Sequence, residues 1–321
     1  MTLSIKNLYV SLRTWGKKIS ALQGVEFDLK EGEILGIVGE SGCGKSITAK
    51  TIMRLLPSHA AAVEQGKILY HGKDLLSLPE SEMRSVRGRE IAMIFQDPMT
   101  SLNPTKRIGS QIIEGLLLHH PHLGKKEAEV KAINLLSSVG IAQPELRFRA
   151  YPHTLSGGMR QRAMIALAMA CDPKILLADE PTTALDVTVQ AQILELLKEI
   201  ARTRKTSIIL ITHDLSVVAR LCDRVLVMYA GKIVEEADVE ELFRSPSHPY
   251  TQKLLQSIPR IDSPRGTPLH PIKGRPPLMQ QRFSSCPFAP RCEKAIEKCH
   301  EQEPPKIEVK SNHFVSCWKF E

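Results

Sequence analysis

The sequence predicts an α/β fold built around a largely parallel sheet, with an N-terminal antiparallel β subdomain, a helical insert and a small C-terminal cysteine-rich extension. Three observations lead to this prediction. Short apolar runs such as "EILGIV", "KILLAD" and "RVLVMY" alternate with helical segments, which is typical of buried parallel strands. Residues 3–29 instead alternate apolar and polar positions, which favours antiparallel strands with one side exposed to water. Residues 106–171 show helical periodicity only.

The individual elements follow one another in a clear order. After the alternating segment, "EILGIV" ends in a glycine-rich turn, and a helix is predicted from Lys45 to about residue 56. Further buried strands are predicted at "IAMIF" and "SIILIT". A turn, a strand and a helix are predicted at "AGKIVEEADVEELF", and one more helix at "SHPYTQKLLQSIPR".

A proline- and glycine-rich stretch, "IDSPRGTPLHPIKGRPP", marks a predicted domain boundary. We expect one domain over residues 1–258, with a helical subdomain at about 97–172. Residues 259–321 then form a linker and an extension that carries four cysteines. The length of 321 residues is sufficient for one full-sized domain and such an appendage.

Charge and targeting signals narrow the class of protein only partly. The net charge of +8 suits nucleic acid, an anionic membrane surface or phosphate-rich ligands equally well. The start "MTLSIKNLYV" has no basic head followed by a long apolar core, so we expect no signal peptide. The longest apolar run, residues 163–171, is far shorter than a membrane span, so we expect a soluble, cytosolic chain. Clustered cysteines in that compartment favour metal binding over disulfides.

A complete phosphate-binding loop is present in "GESGCGKS", between a predicted strand and a predicted helix. Its members are Gly39, Glu40, Ser41, Gly42, Cys43, Gly44, Lys45 and Ser46. The glycines allow backbone N–H groups to surround phosphates, and the helix N-terminus adds partial positive charge. We expect Lys45 to neutralise the β- and γ-phosphates and Ser46 to bind Mg²⁺, whereas Cys43 fills a variable position. The predicted ligand is a nucleoside triphosphate.

Two acids follow the apolar strand "KILLAD" and complete a hydrolytic site. Asp179 ends the strand and is expected to orient the ligands of Mg²⁺. Glu180 comes next and is the candidate general base for the attacking water. A strand followed by two acids is weak evidence for a hydrolytic site by itself, but it is strong evidence when a complete P-loop precedes it in the chain.

The segment "LSGGMRQR" resembles the signature of ABC-type ATPases, which other P-loop enzymes lack. Ser156, Gly157 and Gly158 stand at the start of a predicted helix and expose backbone donors. Met159 departs from the glutamine of the family pattern. The resemblance, which covers about residues 3–260, implies a P-loop NTPase fold of ABC type with ATP and Mg²⁺ as cofactors. It also implies that the signature binds the γ-phosphate of ATP held by the opposite subunit, so the site is complete only in a dimer.

Further family elements occur in the expected order. Gln96 matches the glutamine that contacts magnesium and senses the γ-phosphate. Asp186 matches the loop that links the two sites of the dimer, and His213 matches the switch histidine. An aromatic residue in the first strand pair usually supports adenine, and Trp15 is the favoured candidate, with Tyr9 as the alternative.

The stretches "IFQDPMTSLNP" and "SHPYTQKLLQSIPR" resemble the ATP-binding subunits of peptide and nickel importers, especially those for dipeptides and oligopeptides. That branch implies two integral-membrane permease subunits, an extracytoplasmic substrate-binding protein, and a paralogous second ATPase or a second copy of this chain. It implies work as a peripheral subunit at the cytoplasmic face of the plasma membrane, with no nucleic-acid partner.

Two other functions are compatible with parts of the sequence. A nucleic-acid-dependent ATPase with a zinc module is compatible with the charge, but such proteins resemble fused ATPase pairs or carry long coiled coils. A regulatory nucleotide binder is disfavoured because Glu180 and His213 are both intact.

The last four cysteines form a separate cluster. Cys286, Cys292, Cys299 and Cys317 are separated by five, six and seventeen residues. Structural zinc sites usually use pairs about two to four residues apart, so the spacing favours a 4Fe-4S cluster, and the resemblance implies the same. Zinc or unligated thiols are the alternatives. Because the ATPase motifs lie about 100 residues upstream, cysteine replacement is expected to leave nucleotide affinity unchanged.

Overall fold

The structure, a computed structural model, describes residues 2–14, 16–258 and 271–321. It divides into two compact units. The first, which we call the P-loop unit, comprises Met1–Lys30, Ile34–Ser77 and Ile211–Glu321. The second, which we call the helical unit, comprises Glu31–Glu33 and Leu78–Leu210. Each unit is described by itself below.

Strands occur in both units. Those of the described residues are β1 (Leu3–Thr14), β2 (Lys17–Leu29), β3 (Ile34–Val38), β4 (Ala61–Tyr70), β5 (Lys73–Asp74), β6 (Ile91–Ile94), β7 (Ile175–Asp179), β8 (Ser207–Ile211), β9 (Arg224–Tyr229), β10 (Lys232–Asp238), β11 (Lys306–Lys310) and β12 (His313–Ser316). The central strands β3, β7 and β9 are buried along their whole length, as their apolar runs predict.

Helices also occur in both units. Those of the described residues are α1 (Lys45–Ile52), α2 (Glu80–Val86), α3 (Pro98–Ser101), α4 (Ile108–His119), α5 (Lys125–Ser138), α6 (Pro144–Phe148), α7 (Gly157–Ala168), α8 (Val187–Arg204), α9 (Leu215–Leu221), α10 (Val239–Arg244), α11 (Pro249–Gln256) and α12 (Glu297–Glu301). Short 3₁₀ turns lie at Pro152–Thr154, Ala289–Arg291 and Trp318–Phe320. Within the described ranges, none of these helices combines the length and the apolar character needed to cross a membrane.

The P-loop unit contains the predicted antiparallel β subdomain, with strand order β2-β1-β4-β5. Strands β1 and β2 pair from Leu3 opposite Leu29 to Thr14 opposite Lys17. Leu8 and Val10 are buried on one face, as the period of two requires. Strand β4 pairs with the other edge of β1 in a segment where the sequence shows no clear alternation.

A second sheet region of the P-loop unit has the order β11-β12-β10-β9-β3. Strands β3 and β9 are parallel, whereas β10 pairs antiparallel to β9. The carboxyl end of β3 leads into the P-loop, so this sheet determines where the loop begins. A cluster of buried side chains from β9, β10 and α9 packs beside these strands, with Tyr250 of α11 among them.

The described part of the C-terminal extension, residues 271–321, belongs to the same compact unit as the P-loop. Strand β12 pairs with β10, where Val315 lies opposite Glu235, and β11 then pairs with β12. Phe288 enters the core cluster of the unit and is 1% exposed. A segment this short cannot bury enough apolar surface alone, so it uses the sheet edge and core of the larger unit. The sequence predicted the extension but not its two added strands.

The helical unit has the strand order β8-β7-β6, with β6 and β7 parallel. Its α4 to α7 segment is helical apart from turns, as the periodicity of residues 106–171 predicts. Ile112 of α4 and Leu136 of α5 are buried, with exposures of 1% and 0%. The amphipathic faces of these short helices therefore pack together rather than relying on intrinsic helix propensity.

Candidate active site

The P-loop connects the end of β3 to the start of α1 and requires glycine at its first position. Gly39 has a φ of +152°, and a Cβ there would lie 2.1 Å from the carbonyl oxygen of Met228 in β9. No side chain fits between the loop and that strand. The backbone of the loop is therefore held tightly against β9, which leaves its other side available to a ligand.

Lys45, the first residue of α1, is the buried cation of the loop. Its Nζ donates to the carbonyl oxygen of Gly39 at 2.7 Å and to that of Glu40 at 3.1 Å. The first turn of α1 contains no acidic residue, and Ser46 lies in that turn. An ammonium group, a helix N-terminus and a glycine-rich backbone thus meet in one loop, which fits a bound phosphate chain.

Glu40 is held from two sides by residues that the sequence did not single out. Its backbone N–H donates to the hydroxyl of Tyr250 at 2.9 Å. Its carboxylate forms a bidentate pair with Arg291, with N–O distances of 2.6 and 3.0 Å. Burial raises the pKa of the Tyr250 hydroxyl, so this group stays neutral. No local pattern marks either residue, since Arg291 is 251 positions from Glu40.

His213 follows strand β8 and is exposed. The preceding residue, Thr212, donates its backbone N–H to the carbonyl oxygen of Ile37 at 3.2 Å, within the P-loop unit. Asp214 then accepts a hydrogen bond from the N–H of Ser216 at 2.8 Å and begins α9. The histidine is therefore placed just after a residue tied to β3, the strand that leads into the P-loop.

In the helical unit, the structure brings Gln96 and Glu180 together. The Nε2 of Gln96 donates to Oε2 of Glu180 at 2.9 Å, and the hydroxyl of Thr183 donates to the same oxygen at 2.9 Å. Glu180 has a φ of +48°, which is uncommon for a residue other than glycine, directly after the buried Asp179 at the end of β7. The carboxylate is thus held by two donors at a turn, and the sequence did not predict the contribution of Thr183.

The signature segment and the Asp186 loop are also adjacent within the helical unit. Ser156 begins α7 by accepting a hydrogen bond from the N–H of Met159 at 3.3 Å, a contact that does not depend on the Met159 side chain. A Cβ at Gly158 would lie 2.8 Å from the Val189 side chain. Asp186 begins α8 by accepting from the N–H of Val189 at 2.9 Å. Val189 therefore packs the start of α7 against the start of α8.

A comparison with protein families agrees with these arrangements. The family model described as "ABC transporter" matches residues 22–183, which contain the P-loop, the signature and Glu180. This chain belongs to the ABC transporter family. A second model, described as the C-terminal region of oligopeptide/dipeptide transporters, matches residues 234–299.

Curated relatives of this ABC transporter chain match it over nearly its whole length. It is 52% identical to the dipeptide transport ATP-binding protein DppD of Bacillus subtilis, with 98% of this chain and 94% of that protein covered. It is 47% identical to the oligopeptide transport ATP-binding protein OppD of Escherichia coli, with 99% of this chain and 93% of that protein covered.

Solved structures show the same ABC cassette fold. The dimer of a bacterial ABC transporter cassette matches with a TM-score of 0.66 and 28% identity, covering 74% of this chain and 98% of that one. A dimeric ATP-binding cassette in a post-hydrolysis state, bound to ADP and phosphate, matches with a TM-score of 0.67 and 27% identity over 74% and 98%. The predicted ABC-type ATPase fold is thereby confirmed.

All four cysteines of this ABC transporter chain's extension line one cavity of about 100 Å³ in the P-loop unit. Each is a free thiol, and burial raises the pKa of Cys286 to about 11. Within the described residues, no group of three or more His, Cys, Asp or Glu side chains is arranged to hold a metal ion. The side chains thus converge on one cavity, but the predicted cluster and its zinc alternative are not shown.

The predicted adenine contact is described by the structure only in part. Trp15, the favoured candidate, lies outside the described residues. Tyr9, the alternative, has the guanidinium of Arg282 over its ring at 4.2 Å from the ring centroid. One face of Tyr9 is therefore already covered by a cation.

Proposed function

We propose that this chain is the ATP-hydrolysing subunit that powers import of dipeptides or oligopeptides through a membrane permease. ATP binding joins two such subunits, and hydrolysis releases them, so that the permease alternates between its two access states. The observation that carries the proposal is the combination of a complete P-loop around Lys45 with a Glu180 carboxylate held by Gln96 and Thr183. The names of the peptide-transport relatives support the substrate class.

The proposed roles divide between binding and proton transfer. The P-loop backbone and Lys45 bind the phosphates of ATP, and Glu180 accepts the proton of the attacking water. His213 contacts the γ-phosphate from the loop after β8. The ligands proposed for Mg²⁺ are Ser46, Gln96 and Asp179. When bound, Mg²⁺ supplies positive charge for the phosphate oxygens.

We further propose that the site is completed by a second subunit. The exposed Ser156, with Gly157 and Gly158 at the start of α7, presents backbone donors to the ATP of the partner. Asp186, exposed at the start of α8, communicates between the two sites. The dimeric form of a matching cassette structure supports this arrangement.

The proposed domains and partners follow the peptide-importer branch. Residues 1–258 form the ATP-binding domain, with the helical subdomain at about 97–172, and residues 259–321 form the linker and extension. The partners are two integral-membrane permease subunits, an extracytoplasmic substrate-binding protein and a second ATPase, which is a paralogue or a second copy. The chain works as a peripheral subunit at the cytoplasmic face of the plasma membrane.

Isolation of the assembled complex tests this function. Affinity purification of the tagged chain from detergent-solubilised membranes is expected to recover two integral-membrane proteins and a second ATPase. Vesicles containing this complex and the substrate-binding protein should take up peptide only with ATP. The matched control is Lys45→Ala, which should keep the complex but stop uptake. Recovery of the chain without membrane proteins, or together with nucleic acid, would contradict the proposal.

We also propose a 4Fe-4S cluster in the cysteine-lined cavity of the extension. Four thiolates are the donor set that such clusters require, and Cys286, Cys292, Cys299 and Cys317 all line this one cavity. Its volume of about 100 Å³ exceeds the roughly 10–15 Å³ that a cavity needs to hold one water, so it has room for more than a single ion. When bound, the cluster cross-links the cysteine segments and stabilises the extension.

Metal analysis of anaerobically purified protein tests the cluster. We expect coloured protein with about four iron atoms per chain, because that is the composition of this cluster type. Cys292→Ser should lose most of the iron, whereas Cys171→Ser, which changes a half-buried cysteine of the helical unit, should keep it. Colourless protein with one zinc per chain would support the zinc alternative instead.

A further inference from the structure

The guanidinium of Arg291 uses all of its donors where the extension meets the P-loop. Its two terminal nitrogens bind the carboxylate of Glu40 at 2.6 and 3.0 Å. One of these nitrogens also donates to the hydroxyl of Tyr229 at 3.3 Å, and the other to the carbonyl oxygens of Ile272 and Gly274 at 3.3 Å each. The Nε donates to the carbonyl oxygen of Lys273 at 3.0 Å. Such a bidentate, fully bonded pair has one defined geometry.

This ion pair is well shielded from water. The side chain of Arg291 is 5% exposed and that of Glu40 is 25% exposed. Loss of one partner from a shielded pair leaves the other charge uncompensated, which is far more costly than loss of a surface pair. The contact is therefore strong enough to affect the loop that contains Glu40.

A group of packed aromatic rings lies beside the contact between Arg291 and Glu40. Tyr229 packs against Tyr250 with ring centroids 4.6 Å apart and against Phe288 at 5.2 Å. Tyr250 also accepts the backbone N–H of Glu40 at 2.9 Å. The side chain and the backbone of this P-loop residue are thus held by one packed group.

The position of Arg291 is determined by the cysteine segment. Arg291 lies between Cys286 and Cys292, and its N–H donates to the carbonyl oxygen of Phe288 at 2.9 Å in a 3₁₀ turn. Cys286 in turn donates its N–H to the carbonyl oxygen of Cys299 at 3.0 Å. The turn that carries the guanidinium is therefore part of the wall of the cysteine-lined cavity.

We propose that Arg291 is a positioning residue for the P-loop, which it holds through Glu40 from the cysteine-bearing extension. This inference rests on the phosphate-binding role proposed for the P-loop above. Arg291 keeps the Glu40 carboxylate paired and fixed, so that Glu40 neither moves the loop nor presents an uncompensated negative charge to an anionic ligand. The carbonyl oxygen of Glu40 also accepts from Nζ of Lys45 at 3.1 Å, so a displaced Glu40 affects the phosphate-binding lysine directly.

A double-mutant cycle on equilibrium ATP affinity, measured with the full chain, tests the inference. Arg291→Met is expected to weaken ATP binding about 10-fold, an effect typical of one strong charge-assisted contact. In the Glu40→Ala background, the same substitution should change ATP affinity less than about 2-fold, because the carboxylate through which Arg291 holds the loop is absent. A loss of equal size in both backgrounds, or none in the native one, overturns the proposal. A merely structural role would give equal losses.

Three further variants keep the proposal testable even if Arg291→Met does not fold. Arg291→Lys keeps the charge and loses the bidentate geometry, so an intermediate loss of about 3-fold is expected, again absent in the Glu40→Ala background. The matched control is Glu293→Gln, which removes a pair with Lys253 from the same segment without reaching the P-loop and should bind ATP normally. Lys45→Ala tests the phosphate-binding role of the P-loop separately. Normal ATP affinity of this variant would refute that role. A large loss of ATP affinity would support it, and a failed Arg291 prediction would then contradict only the proposal about Arg291.

Discussion

Replacement of Glu180 by glutamine is expected to slow ATP hydrolysis by at least ~100-fold while ATP binding is retained. The amide has nearly the same shape as the carboxylate, and its oxygen still accepts from Gln96 and Thr183, which bind Glu180 at 2.9 Å each. The variant therefore keeps the local geometry but cannot accept the proton of the attacking water. With ATP bound and not hydrolysed, the subunits should accumulate as dimers.

Steady-state phosphate release, equilibrium ATP binding and size-exclusion chromatography with ATP measure the three parts of this expectation. Glu195→Gln is the matched control, since Glu195 is an exposed carboxylate on α8 of the same unit. This variant should leave all three measurements unchanged. Hydrolysis by Glu180→Gln within a few-fold of the native rate would remove Glu180 from the role of general base. A simultaneous loss of ATP binding would instead point to a disturbed fold.

Replacement of Ser156 by arginine is expected to reduce turnover by about 100-fold, the scale of losing a preorganised donor group to a charged transition state. Ser156 is exposed at the start of α7 and accepts the N–H of Met159 at 3.3 Å. A long cationic side chain there would occupy the space in front of the backbone donors of Gly157 and Gly158. ATP affinity at the P-loop of the same chain should remain unchanged.

Mixed dimers distinguish the two subunits. In a mixture of Ser156→Arg with Lys45→Ala chains, the proposed arrangement gives the mixed dimer one intact site, because the native P-loop of the Ser156→Arg chain faces the native signature of the Lys45→Ala chain. Neither homodimer has an intact site, so mixing the two inactive variants should restore part of the hydrolysis. Ser137→Arg, an exposed change on α5, is the control for the added charge. A loss confined to the mutant's own ATP affinity would contradict action across the dimer.

Local patterns were sufficient to predict much of the proposed nucleotide site. "GESGCGKS" predicts the strand, loop and helix that the structure shows from β3 to α1, because the glycine positions and the lysine are required by backbone geometry and phosphate chemistry. The capping roles of Ser156 and Asp186 were likewise predictable from residue type and the helices that follow. In contrast, the pairing of Gln96 with Glu180 joins positions 84 residues apart, which the order of motifs suggests but does not define.

The sequence by itself predicted an α/β fold, the P-loop and a cysteine-bearing extension, since each depends on short-range periodicity or on residue type at fixed spacing. The ABC-type assignment, and with it the roles proposed for Gln96 and His213, came from the resemblance of the motifs to that family. The sequence also predicted that replacing a cysteine of the extension leaves nucleotide affinity unchanged. Only the tertiary structure placed the described extension in the P-loop unit, with β12 on the edge of β10 and Arg291 on Glu40. The physical reason is that strand-edge pairing and a shielded ion pair join residues that are distant in sequence. No local pattern predicts which strand or which opposite charge will be the partner.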